Sequence, residues 1–98
     1  MKLERLEEFT IGTWIVIRNH GRAEGRKTNL YGVWPKDDDR HERPLGNIQW
    51  FGRWRKYAFN PLPGTVYEPT CMEEIAQFMR EETREHMAQA RKRKAAKA

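Results

Sequence analysis

The chain has 98 residues, of which 38% are hydrophobic and 34% are charged, and its formal net charge is +5. This length suits one domain with a modest core and excludes two independent domains, while an aromatic share of 11% argues against a disordered chain. The five cations of RKRKAAKA at 91–98 account for the excess charge, because residues 1–90 hold 14 basic and 14 acidic side chains. We therefore expect a neutral body at 1–90, with an N-terminal arm or short helix at 1–9 and one domain at 10–90, followed by a basic tail at 91–98.

Cysteine content and hydropathy restrict the compartment. Cys71 is the one cysteine, which excludes an intramolecular disulfide framework and favours a reducing compartment. The first residues, MKLERLEEFTIGTWIVI, lack the uninterrupted apolar core of a signal peptide, and no apolar run approaches the roughly 20 residues that span a bilayer. We expect a cytoplasmic protein that does not bind membranes.

The N-terminal half is predicted to contain an arm and two strands. Leu3, Leu6 and Phe9 recur every three residues, which predicts a short helix or a loosely docked arm over 1–9. Alternating apolar residues then predict a strand at Thr10–Arg18. The following stretches predict a connecting loop at 20–29, a strand at Leu30–Trp34 and a solvated loop at 36–43, KDDDRHER.

Two further strands, Leu45–Phe51 and Arg53–Asn60, are predicted to form a tight hairpin around Gly52, because glycine adopts the positive φ of close turns. Neither face of the second strand is purely apolar, so the pattern does not decide which face covers the core. Alternation places Arg53, Arg55, Tyr57 and Phe59 on one face, and Trp54, Lys56, Ala58 and Asn60 on the other.

The C-terminal third contains the clearest helix signal. Thr70 and Glu73 have the spacing of a capping box, in which each side chain accepts a backbone N–H. Apolar residues follow at helical spacing, which predicts a helix from Cys71 past Ala90. We expect an α+β fold in which this helix packs against an antiparallel sheet of three or four strands. The predicted core is Ile15, Ile17, Ile48, Trp50, Tyr57, Phe59, Met72, Ile75, Phe78 and Met79.

The segment Arg43–Tyr67 combines cations with aromatic rings and contains no acid. Aromatic rings stack on unpaired bases, and arginine and lysine side chains contact phosphates. The alternative is that the rings pack in the core of a small domain and that the cations keep its surface soluble. On the first interpretation, the basic tail adds further electrostatic contacts to phosphates. The candidate nucleic-acid-binding residues are Arg53, Trp54, Arg55, Lys56, Arg91, Lys92, Arg93 and Lys94.

Three adjacent carboxylates, Asp37, Asp38 and Asp39, lie in the predicted loop 36–43. They lack the alternating spacing of a calcium-binding loop, so we expect no metal site. A negative surface of this kind can contact a partner protein, and that alternative stays open.

Cysteine and histidine are the remaining candidates for catalytic chemistry. Cys71 begins the predicted helix, where the helix dipole favours a thiolate. His20, His41 and His86 are scattered, and none has a spacing that implies pairing with this thiol. We therefore expect no catalytic residue and no cofactor.

Residues 45–79, LGNIQWFGRWRKYAFNPLPGTVYEPTCMEEIAQFM, resemble a small uncharacterised family found in phage and prophage genomes. The shared pattern is LG, then W, then WRxYxFxP, a proline-rich turn and a short helix. The basic extension and the loop Asp37–Asp39 depart from it. The resemblance implies an accessory phage protein, a class that includes nucleic-acid binders and inhibitors of host proteins, and it assigns no activity. It depends on Leu45, Gly46, Trp50, Trp54, Arg55, Tyr57, Phe59, Pro61, Ile75 and Phe78.

We expect a non-enzymatic protein that binds DNA or RNA through a basic and aromatic sheet surface and through the basic tail. One alternative is an accessory protein that binds and inhibits a host or defence protein. A second alternative is a small virion or assembly component. The sequence does not distinguish DNA from RNA, and it does not fix the oligomeric state.

Overall fold

The computed structural model describes residues 3–22 and 24–97 of the chain. It has an α+β fold, as expected, in which one antiparallel sheet packs against one C-terminal helix. The sheet has six strands, so the expectation of three or four was too low. The elements are β1 Glu4–Leu6, β2 Phe9–Ile11, β3 Ile15–Arg22, β4 Asn29–Pro35, β5 Gly46–Phe51, β6 Lys56–Pro61 and α1 Pro69–Lys97.

The six strands form a meander, since each pairs with its neighbour in the chain in the order β1-β2-β3-β4-β5-β6. Alternating strand directions therefore bring the β3–β4 and β5–β6 loops to one end of the sheet, which we call the distal end. The β2–β3 turn and the β4–β5 loop lie at the opposite, proximal end. Helix α1 begins at the proximal end, where Glu74 accepts a hydrogen bond from the backbone of Thr13, and runs toward the distal end.

The N-terminal residues form a β-hairpin, so the predicted arm or short helix was wrong for the part of 1–9 that the structure describes. Leu6 pairs with Phe9, which makes Glu7 and Glu8 the turn, and Glu7 adopts a φ of 49°. The predicted strand Thr10–Arg18 is also divided, because a turn at 12–14 separates β2 from β3. These short strands gain their partners within the sheet, which local helical spacing does not reveal.

The β5–β6 connection is a four-residue loop at 52–55, closed by the pair Phe51 and Lys56. The Arg55 N–H donates to the Phe51 carbonyl at 2.9 Å, and Arg55 has a φ of 55°. The predicted hairpin is confirmed, but its second strand begins at Lys56 and not at Arg53. Three residues assigned to alternating strand faces, Arg53, Trp54 and Arg55, therefore lie in the loop.

The core lies between α1 and one face of the sheet. Predicted core residues Ile15, Ile17, Ile48, Tyr57, Ile75 and Phe78 are buried, whereas Trp50, Phe59 and Met79 are partly buried against them. Met72 was wrongly placed in the core, because it lies on the outer side of the helix with 51% of its surface exposed. Tyr31, Val33 and Cys71 complete the buried cluster.

Helix α1 begins two residues earlier than predicted. Pro69 is its first residue, and the side chain of Glu68 accepts the Cys71 N–H, so Glu68 is the N-cap. Proline suits the first helical position because its nitrogen has no hydrogen to leave unpaired. The Thr70–Glu73 capping box is therefore not formed. Across residues 3–22 and 24–97, no helix is long and apolar enough to cross a membrane.

Candidate nucleic-acid interface

The predicted cationic residues lie at the distal end of the molecule. Arg53, Trp54, Arg55 and Lys56 are all exposed, the first three in the β5–β6 loop and the last at the start of β6. Three of these four residues therefore lie in a loop at the distal end of the sheet and not on the sheet face where they were expected.

The basic tail is a continuation of α1, which runs past Ala90 as predicted and ends at Lys97. A helix of 29 residues is about 44 Å long, whereas the eight residues of β3 extend about 26 Å. The helix therefore projects beyond the sheet at the distal end, consistent with a longest dimension of 48 Å. Its projecting part carries Arg91, Lys92, Arg93 and Lys94.

The loop and the helix end line one open cleft with a volume of about 320 Å³, which we call the basic cleft. Arg55 lines it from the β5–β6 loop, and Lys27 lines it from the β3–β4 loop. Helix α1 supplies the remaining wall with Met87, Ala90, Arg91, Arg93 and Lys94. Of the candidate residues, Arg53, Trp54, Lys56 and Lys92 do not line the cleft.

Lys27 was not among the candidates, because the polar stretch 20–29 was interpreted as a connecting loop. The sequence feature that could have indicated this part of the cleft is the set of three cations in that stretch, Arg22, Arg26 and Lys27. The meander places this loop beside the β5–β6 loop, and that proximity is a property of the topology alone.

The basic cleft contains no carboxylate in its lining. Among the side chains that the structure describes, ion pairs are formed by Arg5 with Glu81 and Glu82 and by Arg18 with Glu8, and none involves a cation of the cleft. Five like charges on one concave surface repel one another and create a positive potential that attracts anions.

The aromatic rings of the segment 48–59 divide between core and surface. Tyr57 is buried and Trp50 packs edge-on against it, with 5.3 Å between ring centroids. Trp54 is 61% exposed, and its ring lies 4.4 Å from that of Phe51. Phe51 and Trp54 together form an exposed aromatic surface next to Arg53 and Arg55 in the same loop.

The aspartate triplet lies in the β4–β5 loop at the proximal end, away from the basic cleft. Asp38 is buried, and its carboxylate accepts the N–H groups of Arg43 at 2.6 Å and Glu42 at 3.2 Å. The first of these bonds, with the second, lowers the pKa of Asp38. The loop is therefore anchored by Asp38 instead of fully solvated, and Asp37 and Asp39 are left exposed.

A second contact also holds this loop. The indole N–H of Trp34 donates to the His41 carbonyl at 3.0 Å, and the two rings lie 5.1 Å apart. In the described part of the chain, no group of three or more His, Cys, Asp or Glu residues is arranged to hold a metal ion.

Cys71 lies in the first turn of α1, but the expected thiolate is not favoured there. Burial raises the pKa of Cys71, and the nearby carboxylates of Glu68 and Glu74 raise it further. The thiol is therefore protonated near neutral pH, and it packs in the core.

Comparison with protein-family models, curated proteins and solved structures found no significant match to this chain.

Proposed function

We propose that this chain is a non-enzymatic, cytoplasmic protein that binds nucleic acid at its distal end. The observation that supports this most is the basic cleft, where cations from the β3–β4 loop, the β5–β6 loop and α1 line one concave surface without a carboxylate. Nucleic-acid backbones carry the regularly spaced anions that such a surface attracts. Either DNA or RNA has the required chemistry.

The exposed Trp54 would add base stacking to these phosphate contacts. Stacking of one base on an aromatic side chain contributes about 1–3 kcal/mol, and it requires an unpaired base. The proposal therefore favours a single strand, whose backbone follows the cleft while one base lies on Trp54.

The first test removes charge from the cleft without disturbing the backbone. Asparagine tolerates the positive φ of Arg55, so the double variant Arg55→Asn/Arg91→Gln removes two cleft cations at little conformational strain. The matched control is Arg40→Gln/Arg43→Gln, which removes two exposed cations from the proximal loop. Both variants have the same net charge, so a difference between them reports location.

Affinity is measured by fluorescence anisotropy on labelled single strands and duplexes across a salt series. If both cleft residues contact phosphates, the log–log salt slope falls by about 1.4 on single strands and about 1.8 on duplexes. The control variant should change the slope far less. Equal losses in the two variants would show that binding follows net charge, and would contradict a site at the cleft.

Stacking is tested separately with Trp54→Ala. The expected loss of affinity for a single strand is about 5- to 150-fold, from the free energy of stacking one base, with little change on duplex. An unchanged single-strand affinity would exclude Trp54 from the site.

A second candidate function is protein binding through the proximal loop. The specific observation is that Asp38 fixes this loop while Asp37 and Asp39 both remain exposed. On the resemblance to phage and prophage proteins, the partner would be a host or defence protein. A partner that copurifies after nuclease treatment, and is lost on Asp37→Asn/Asp39→Asn substitution, would support this candidate.

A further inference from the structure

A pocket of about 350 Å³ adjoins the basic cleft on the other side of Lys27 and Arg93, which line both. It lies between α1 and the β3–β4 connection, and Arg22 at the end of β3 gives it a third cation. His86 of α1 forms part of the wall, with its ring 4.5 Å from that of Trp50. None of the candidate functions uses this pocket.

The three cations line the same pocket as His86. The pKa of His86 is lowered, first by burial and then by the charges of Arg93, Arg22 and Lys27. The direction of this shift agrees with several positive charges on the pocket wall. Within residues 3–22 and 24–97, none of the three forms an ion pair.

Two carboxylates also line the pocket, Glu82 and Glu85. Glu82 already has hydrogen-bond partners, because it accepts hydrogen bonds from Arg5 and from the Tyr31 hydroxyl, each at 2.6 Å. Glu85 accepts the side-chain amide of Gln89 at 3.0 Å on the exposed side of the helix. Among the residues that line the pocket, three cations are therefore without an ion pair, and Glu85 is the one carboxylate without an ion pair.

The wall also offers neutral donors. The Tyr57 hydroxyl accepts the Asn29 N–H at 3.1 Å, so its own proton can be donated to a ligand. Tyr57 is 5% exposed, so its ring is enclosed by packing. Guanidinium groups and a phenol arranged around a concave space suit a compact oxyanion with several acceptor oxygens.

We propose that this pocket binds a phosphate monoester. A monoester carries close to two negative charges at neutral pH and three terminal oxygens. Its charge and compact shape match the three cations and the concave pocket better than a phosphodiester of the nucleic-acid backbone, which carries one negative charge. In the proposed function, on which this inference rests, the ligand is the terminal phosphate of a nucleic-acid strand whose backbone continues into the basic cleft. The same chemistry would also take inorganic phosphate or a mononucleotide.

The first experiment titrates the full chain with inorganic phosphate and follows the His86 ring resonances by NMR. We expect a saturable shift and a rise in the pKa of His86, because the bound anion stabilises the imidazolium. The double variant Arg22→Gln/Lys27→Gln should lose the shift. Arg26→Gln, one residue from Lys27 and outside the pocket lining, is the control for a nearby loss of charge and should retain it.

The second experiment compares strands that differ only in their end groups. Oligonucleotides with a 5′- or 3′-phosphate are measured against the same strands with free hydroxyls, and one phosphorylated form should bind about tenfold more tightly. That preference should disappear in Arg22→Gln/Lys27→Gln, while Arg26→Gln keeps it.

The outcomes separate this inference from the proposed function. If strands bind equally with and without terminal phosphates and phosphate does not shift His86, the pocket is not a monoester site, although nucleic-acid binding stands. If no strand binds but phosphate or a mononucleotide saturates the His86 shift, the proposed function fails and the monoester site stands with a free ligand as its source.

Discussion

Glu74 is the side chain whose removal should destabilise this fold most clearly. It projects from the first turns of α1, is fully buried, and accepts the N–H groups of Thr13 at 2.6 Å and Trp14 at 3.2 Å. Those two donors belong to the β2–β3 turn, so one carboxylate joins the start of the helix to the proximal end of the sheet. The sequence pattern did not indicate this contact.

The variant Glu74→Ala leaves both backbone donors without this acceptor. Hydrogen bonds to a charged group contribute about 1.5–3 kcal/mol each, so the loss should be about 3–6 kcal/mol of the free energy of unfolding. A domain of this size is stabilised by only about 5–15 kcal/mol in total. Glu74→Gln keeps one amide oxygen as an acceptor and should lose about half as much.

The measurement is urea unfolding followed by circular dichroism, with thermal melts in parallel. Each kcal/mol lowers Tm by about 4–8 °C in a domain of this size, so Glu74→Ala should lower it by at least about 12 °C. The control is Glu73→Ala, because Glu73 is the exposed neighbour on the same helix turn. Similar, small losses in the Glu73 and Glu74 variants would refute the reasoning that the buried carboxylate connects helix and sheet.

Three other predictions concern stability. A Cβ on Gly12 would lie 2.6 Å from the Cδ of Glu74, so Gly12→Ala should destabilise by about 1–3 kcal/mol, and a double-mutant cycle should show that Glu74→Ala relieves much of this loss. Thr83 Oγ1 accepts the Tyr57 N–H at 3.0 Å; Thr83→Val should lose about 1–2 kcal/mol in urea unfolding while Thr83→Ser loses little, and equal losses would contradict this role. Because the pKa of His86 is lowered in the folded chain, the unfolded chain binds a proton first as pH falls below about 6.5. The free energy of unfolding should therefore decrease in that range. His86→Gln should reduce this pH dependence between pH 7.5 and 5.5.

Much of the fold could be predicted from local patterns. The three strand segments beyond Arg18, the hairpin at 45–60 and the long helix were placed because alternation, turn residues and helical spacing act over a few neighbouring residues. The predictions failed where contacts between residues far apart in the chain determine the structure. The turn at 12–14 is stabilised by Glu74 of α1, which lies 61 residues from Thr13 and 60 from Trp14, and no local signal marks it.

The candidate interface shows the same division. The sequence determined that Arg53, Arg55, Lys56 and Arg91–Lys94 are cationic, and that the first three lie among aromatic residues in the chain. It could not show that Arg55, Lys27 and Arg93 line one cleft, because the strand order that brings the two loops to the distal end is set by long-range pairing. It also could not separate the rings, since only the structure places Trp50 in β5 beside His86 of α1 and Trp54 in the exposed β5–β6 loop.

The sequence by itself therefore determined the composition of the molecule: one α+β domain, a charge excess confined to the C-terminal residues, and the helix that carries it. The tertiary structure alone decided where that charge lies. Helix α1 is longer than the strands it covers, and so its last turns project beside the β3–β4 and β5–β6 loops. Side chains from three separate segments meet there because packing the apolar face of the helix on the sheet fixes its direction, and the position of its cationic end follows.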